Sequence, residues 1–126
     1  MDKITLVKSS QLTSPNPVTV VCTQKPDGST NLATVSWWTY LSFNPNMVAY
    51  AMSKRSYSGE MVRQNVPGSD IKIPLHSRVA IVCHLKEYHE VGDHYLYICD
   101  VEQVYGNEQE QALFAWNGYS EIRPAK

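Results

Sequence analysis

The sequence predicts a mainly β fold, a small antiparallel barrel of about six strands with one short helix, and three observations support this. Segments rich in β-branched and aromatic residues recur at short spacing, Gly, Pro, Asn and Asp cluster between them, and one segment alone carries helix signals. Links this short suit antiparallel pairing, whereas a doubly wound sheet requires a helix between successive parallel strands.

The first strand is "PVTVVCT", residues 17–23, followed by "QKPDGST", whose Asp-Gly pair suits a tight hairpin. A second strand, Asn31 to Phe43, returns antiparallel. "NPN" at 44–46 breaks it, and Met47 to Ser53 forms the third. "SYSGEMVRQN" then predicts the helix, with Ser58 as its cap, Glu60 at the positive end of its dipole, and Met61 and Val62 as apolar contacts. "VPGSDIKIPLHS", residues 66–77, is punctuated by two prolines and a glycine and reads as an ordered connection. Three further strands follow in "RVAIVCHLKEYHEV", "HYLYICDVEQVYG" and "QALFAWNGYSEI", with "GD" and "GNEQEQ" as turns or loops.

The 126 residues, 43% hydrophobic and 18% charged, predict a single domain spanning 1–126, since domains commonly run roughly 100 to 150 residues. A net charge of -1 and no Lys/Arg run argue against nucleic acid or an anionic membrane as partner. "MDKITLVKSS" is not of signal-peptide type, and nowhere do about 18 apolar residues run together. A soluble, cytoplasmic protein is expected. Cys22, Cys83 and Cys99 are odd in number, lack CxxC spacing and sit in apolar runs, so buried thiols in a reducing compartment are expected.

Two adjacent tryptophans raise the question of which one faces the core. Strict alternation through the second strand puts Val35, Trp37, Thr39, Leu41 and Phe43 on the core face. Thr34, Ser36, Trp38, Tyr40 and Ser42 share the other face, where an indole among hydroxyls stacks on a planar ligand or meets a second subunit.

"SKRSYS", Ser53 to Ser58, follows a strand and opens the helix. Two cations, three serines and free helix-end amides converge within one turn, a chemistry suited to phosphate. There is no GxxxxGK[ST] and no GxGxxG. His84, His89 and His94 recur every five residues, a spacing that sends successive strand side chains to opposite faces, so no metal site is expected. Glu87, Glu90, Asp93 and Asp100 form no fixed pair and read as surface charge. Trp116 and Tyr119 pack either under the barrel or across a dimer.

Taken together, "NLATVSW…LSFNP", "SKRSYS" and "GDH" (92–94) resemble the flavin reductase-like family, over about residues 15–65 and 78–120. The resemblance implies an FMN-binding split β-barrel of Greek-key type. It implies that Ala33, Thr34, Val35 and Ser36 lie along the flavin ring, with Asn31 and Trp38 counted among the cofactor-binding positions. It further implies that Ser53, Lys54, Arg55, Ser56 and Ser58 hold the ribityl phosphate, and that His94 stands near the flavin and nicotinamide as the candidate catalytic residue. FMN is the implied cofactor, with FAD possible, NADH or NADPH the electron donor, and a homodimer with flavin near the subunit boundary the implied assembly.

Relatives of ordinary length carry a further strand and a helical insertion where "VPGSDIK" here bridges directly, so the fold is expected to be shortened. Two functions follow from the resemblance. One is an oxidoreductase passing hydride from NAD(P)H to bound flavin and on to free flavin, ferric iron or a partner protein. The alternative is an FMN-binding electron-transfer or storage protein without a competent nicotinamide site. A third, blander reading is a barrel that has lost flavin and serves as a dimeric interaction module.

Overall fold

The computed structural model describes residues 1–65 and 70–125. Among them are two helices, α1 (Leu6–Leu12) and α2 (Tyr57–Gln64), and nine strands. The strands are β1 (Asn16–Pro17), β2 (Thr19–Gln24), β3 (Thr30–Val35), β4 (Trp38–Phe43), β5 (Asn46–Ser53), β6 (Val79–Val91), β7 (His94–Gly106), β8 (Leu113–Trp116) and β9 (Glu121–Pro124). All pairings are antiparallel, in sheets ordered β1-β8-β9, β2-β3 and β4-β5-β7-β6. These sheets do not join into one closed ladder among the described residues, so the barrel is split.

The higher strand number has local causes. The predicted second strand is interrupted at Ser36 and Trp37, where Trp38 N–H donates back to the Ser36 carbonyl at 3.1 Å. Such a tight turn ends one ladder and starts another, so β3 pairs with β2 and β4 pairs with β5. The predicted last strand is likewise divided into β8 and β9 by a turn at Asn117 and Gly118, both with positive φ. β1, of two residues, pairs with β8.

The hairpin between β2 and β3 follows the Asp-Gly signal. Gly28 adopts φ +89°, and the Asp27 carboxylate accepts from the Ser29 amide at 2.9 Å and its hydroxyl at 2.6 Å. β5 is the most covered strand: Val48, Ala49 and Tyr50 are consecutive and all buried, so both of its faces are enclosed. Its neighbour β7 contributes Tyr97 and Cys99 to the same core, with Val35, Met52 and Val62. At the opposite edge of this sheet β6 is largely exposed, and Cys83 with it, contrary to the expected burial. An edge strand has one unpaired side, and β6 is the edge of its sheet.

Helix α2 starts two residues earlier than a Ser58 cap requires. Ser56 is the cap, accepting from the Gly59 amide at 3.0 Å, and Ser58 lies inside the first turn. Asn65 closes the helix in the left-handed conformation. Helix α1 was not expected; Thr5 caps it, and none of its residues is buried, so no apolar periodicity announced it. Residues 70–78 contain neither helix nor strand, in keeping with the expected connection, while 66–69 lie outside the described residues. No helix among the described residues is long and apolar enough to cross a membrane.

Gly59 is the third residue of α2, a helical position where alanine ordinarily stabilises by up to about 1 kcal/mol. Here a Cβ would stand 2.8 Å from the hydroxyl of fully buried Tyr97. Overpacking of this kind costs about 1–3 kcal/mol, so Gly59→Ala should destabilise rather than stabilise, by about 1–2 kcal/mol in urea denaturation.

Candidate functional site

The end of β3 and the end of β5 meet at one rim of the split barrel, and a cavity of about 450 Å³ opens between them. β3 contributes Ala33, Thr34 and Val35, followed by Ser36 and Trp37 from the turn that ends it. β5 contributes Ala51, Met52 and Ser53, and the cap residue Ser56 closes that side. His94, the first residue of β7, enters because it pairs with Ser53 across the ladder. Ala115, Tyr119 and Ile122 complete the wall from the carboxyl-terminal hairpin. A second depression of about 430 Å³, beside Gly28, Thr30 and Lys72, contains none of the predicted site residues.

Seven of the predicted positions therefore converge on this cavity: Ala33, Thr34, Val35, Ser36, Ser53, Ser56 and His94. The other five do not line it. Asn31 donates its amide to the Ser58 hydroxyl at 2.8 Å, a bond that ties β3 to α2 from behind the cavity. Lys54 pairs with Glu90 and lies 6.0 Å from the centre of the Tyr95 ring. Arg55 is exposed beside it, its amide donating to the Ser53 hydroxyl at 3.3 Å. Both cations nonetheless belong to the same turn as Ser53 and Ser56, so hydroxyls, charges and the start of α2 are neighbours in the chain at this rim.

The two tryptophans exchange the places that alternation gave them. Trp37 is 48% exposed and lines the cavity, whereas Trp38 is half-buried and packs against the core. Leu41 and Phe43, assigned to the interior with Trp37, are exposed as well. Alternation holds only along an unbroken strand, and the turn at 36–37 resets its phase. The Trp38 indole nitrogen is buried without a hydrogen-bond partner among the described residues.

Trp37 is held firmly. Its ring stacks on that of His94 with centroids 4.7 Å apart and planes 25° from parallel. Its indole nitrogen donates to the Tyr119 hydroxyl at 2.7 Å. The other edge of His94 is fixed by Asp93, whose carboxylate lies 2.7 Å from Nδ1. Because an ionised carboxylate only accepts, that bond puts the proton on Nδ1 and leaves Nε2 as the acceptor of the neutral ring. The same bond, and then the charge of the imidazolium, hold the Asp93 carboxyl below its ordinary range.

Trp37, Ala51, Met52, Ala115, Tyr119 and Ile122 were not foreseen as site residues. The alternating pattern pointed away from Trp37, and the carboxyl-terminal residues reach the cavity only through pairing between β1, β8 and β9. Among the described residues, no three His, Cys, Asp or Glu side chains gather in a metal-binding group.

Residues 12–66 match the family model described as a flavin reductase like domain. No curated protein matches by sequence. Solved structures with the same fold include the flavin reductase PheA2, at 17% identity and TM-score 0.79, the match covering 100% of this chain and 99% of that one. The styrene monooxygenase flavin reductase from Pseudomonas putida S12 gives 14% identity, TM-score 0.80 and coverage of 98% and 99%. An FMN-binding protein from Thermus thermophilus, solved with p-hydroxybenzaldehyde, gives 18%, 0.76, and coverage of 90% and 88%. The chain is thus flavin reductase-like in fold and in the sequence of its amino-terminal half.

His94→Ala removes the donor that lowers Asp93. The Asp93 carboxyl should then titrate upward toward its ordinary value of 3.8, followed by carbon-detected NMR. In the unmodified protein, the stabilisation from this bond is present above that ordinary value. It is lost as pH falls through the depressed one.

Proposed function

We propose that this flavin reductase-like chain binds FMN in the 450 Å³ cavity and acts as an NAD(P)H-dependent flavin oxidoreductase. The observation that carries the reading is convergence: three segments far apart in sequence, around residues 33–36, 53–56 and 94, line one cavity. A flavin requires an apolar slot for its ring, hydrogen bonds to its polar edge and a cationic cradle for its phosphate. The residues present fit each need. Ala33, Val35 and Met52 supply the apolar surface, with Thr34 and Ser36 as hydroxyl partners. Ser53, Ser56, Lys54 and Arg55, at the start of α2, are the groups for the phosphate. The phosphate is bound by this rim rather than by Ser58, whose hydroxyl is engaged by Asn31.

Bound flavin supplies the redox chemistry, accepting a hydride from NADH or NADPH and passing electrons to free flavin, ferric iron or a partner protein. The protein's own task is to position rings and exclude water, so no acid-base pair is demanded of it. His94, oriented by Asp93 and Trp37, is our candidate for contact with a nicotinamide, a reading its exposure to the cavity supports. FMN is taken as the resident group, with FAD as the other flavin the same chemistry suits. The second reading, an FMN carrier without a nicotinamide site, is supported by the short link between α2 and β6, which holds no helix or strand among its described residues.

A homodimer in the cytoplasm completes the proposal. The chain exposes 8926 Å². A compact monomer of this mass exposes about 6,800 Å². Tyr40, Leu41 and Phe43 are among the large apolar residues left exposed outside the cavity, as expected where a second subunit covers them. Sedimentation should therefore give twice the chain mass, and a monomer at micromolar concentration removes this part of the reading.

The purified protein should take up FMN and become yellow, and NADH or NADPH should bleach it without oxygen. Failure to take up FMN refutes the flavin reading, and a yellow protein that neither nucleotide bleaches leaves the carrier. Replacing Lys54 and Arg55 together by alanine should weaken FMN about tenfold or more with the fold intact, since charge-assisted bonds contribute roughly 1.5–3 kcal/mol each and Lys54 is partly spent on Glu90. Riboflavin, without the phosphate, should bind both forms alike.

A further inference from the structure

We propose that Trp37 is the stacking platform of the cavity, taking a planar conjugated ring on its exposed indole face. The inference rests on the flavin reading above but assigns a contact that the family resemblance does not supply. Three contacts immobilise this side chain and its backbone: the stack on His94, the bond from the indole nitrogen to Tyr119, and the Trp37 carbonyl accepting from the Ala51 amide at 2.8 Å. Despite this, 48% of the residue remains exposed, and Trp37 is one of the residues that line the cavity.

An indole held rigid with apolar surface left over has already lost the rotamer freedom that binding normally costs. A flat conjugated ring is the guest that such a surface selects, because stacking rewards a matching plane. Tyr119 adds direction. Its oxygen accepts from Trp37, so its own O–H is left to donate to an acceptor on the guest, such as a ring carbonyl. Isoalloxazine and nicotinamide share this chemistry, a planar conjugated ring bearing a carbonyl.

The test uses lumiflavin, which has the ring without ribityl phosphate, alongside FMN and NAD⁺. Each is titrated into the unmodified protein and into Trp37→Leu, with bound-flavin emission recorded as well as affinity. Stacking on indole quenches flavin emission, so Trp37→Leu should weaken lumiflavin and FMN alike, about tenfold, and brighten the bound flavin. A loss confined to NAD⁺ assigns the platform to nicotinamide instead. Unchanged affinity for all three with unchanged emission overturns the proposal while leaving the flavin reading intact. An unmodified protein that binds neither FMN nor lumiflavin overturns both.

Tyr119→Phe removes one oxygen and provides the second variant should Trp37→Leu not fold. It frees the indole, so bound flavin should brighten and its affinity fall about threefold. No change in either quantity counts against the platform.

Discussion

The hydroxyl of Tyr97 holds the functional half of the molecule together. Tyr97 is fully buried in the central sheet, and its oxygen donates to the Gly59 carbonyl at 3.3 Å and accepts from the Arg63 guanidinium at 2.7 Å. Arg63 also lies 4.4 Å from the centre of the Tyr95 ring. A buried phenol without partners is costly, and these bonds satisfy it while clamping α2 to β7. Everything at the cavity's polar rim follows from that clamp, because Ser56 caps the same helix and Ser53 to Arg55 lead into it. The absence of a side chain at Gly59 is what lets the helix approach so closely.

A second constraint operates across the ladder from β5 to β7. Ser53 pairs with His94, the Lys54 amide donates to the Asp93 carbonyl at 3.0 Å, and the Lys54 ammonium reaches Glu90. The pair is largely exposed and contributes little stability on its own, about 0–1 kcal/mol. Its effect is geometric: the turn bearing His94 is joined by backbone and side-chain bonds to the turn bearing Lys54 and Arg55. The Lys54 and Glu90 pairing also leaves Arg55 as the more available cation of the two.

Much of the fold is legible in the residues one by one. The Asp-Gly hairpin, the covered strand at 47–53, the helix at "SYSGEMVRQN" and the long hairpin about "GD" all depend on signals contained within a few residues, and all form. Of the seven site positions that line the cavity, local pattern singled out Ser53 and Ser56 in "SKRSYS", whereas Ala33 to Ser36 and His94 came from the resemblance to the flavin reductase-like family. Reading Trp37 as core failed for an equally specific reason. One backbone bond, from Trp38 to Ser36, interrupts a strand whose composition never changes, and alternation carried through that point wrongly places Trp37, Leu41 and Phe43 in the interior. Helix α1 was missed because it buries nothing, and Cys83 was misplaced because an apolar run does not reveal that its strand is an edge.

The sequence by itself determined the mainly antiparallel β architecture, the turns marked by Gly, Pro, Asn and Asp between strands, the cap-bearing helical segment, and the grouping of hydroxyls and cations at "SKRSYS", since each is a matter of local backbone preference and short-range chemistry. Tertiary structure alone decided which of two adjacent indoles faces the cavity. It also brought Tyr119 from the carboxyl end to the Trp37 nitrogen, and committed Lys54 to Glu90 and Asn31 to Ser58. The reason is physical: these outcomes depend on which strands pair and where a ladder breaks, and partners separated by 27 to 82 residues leave no trace in a pattern of period two.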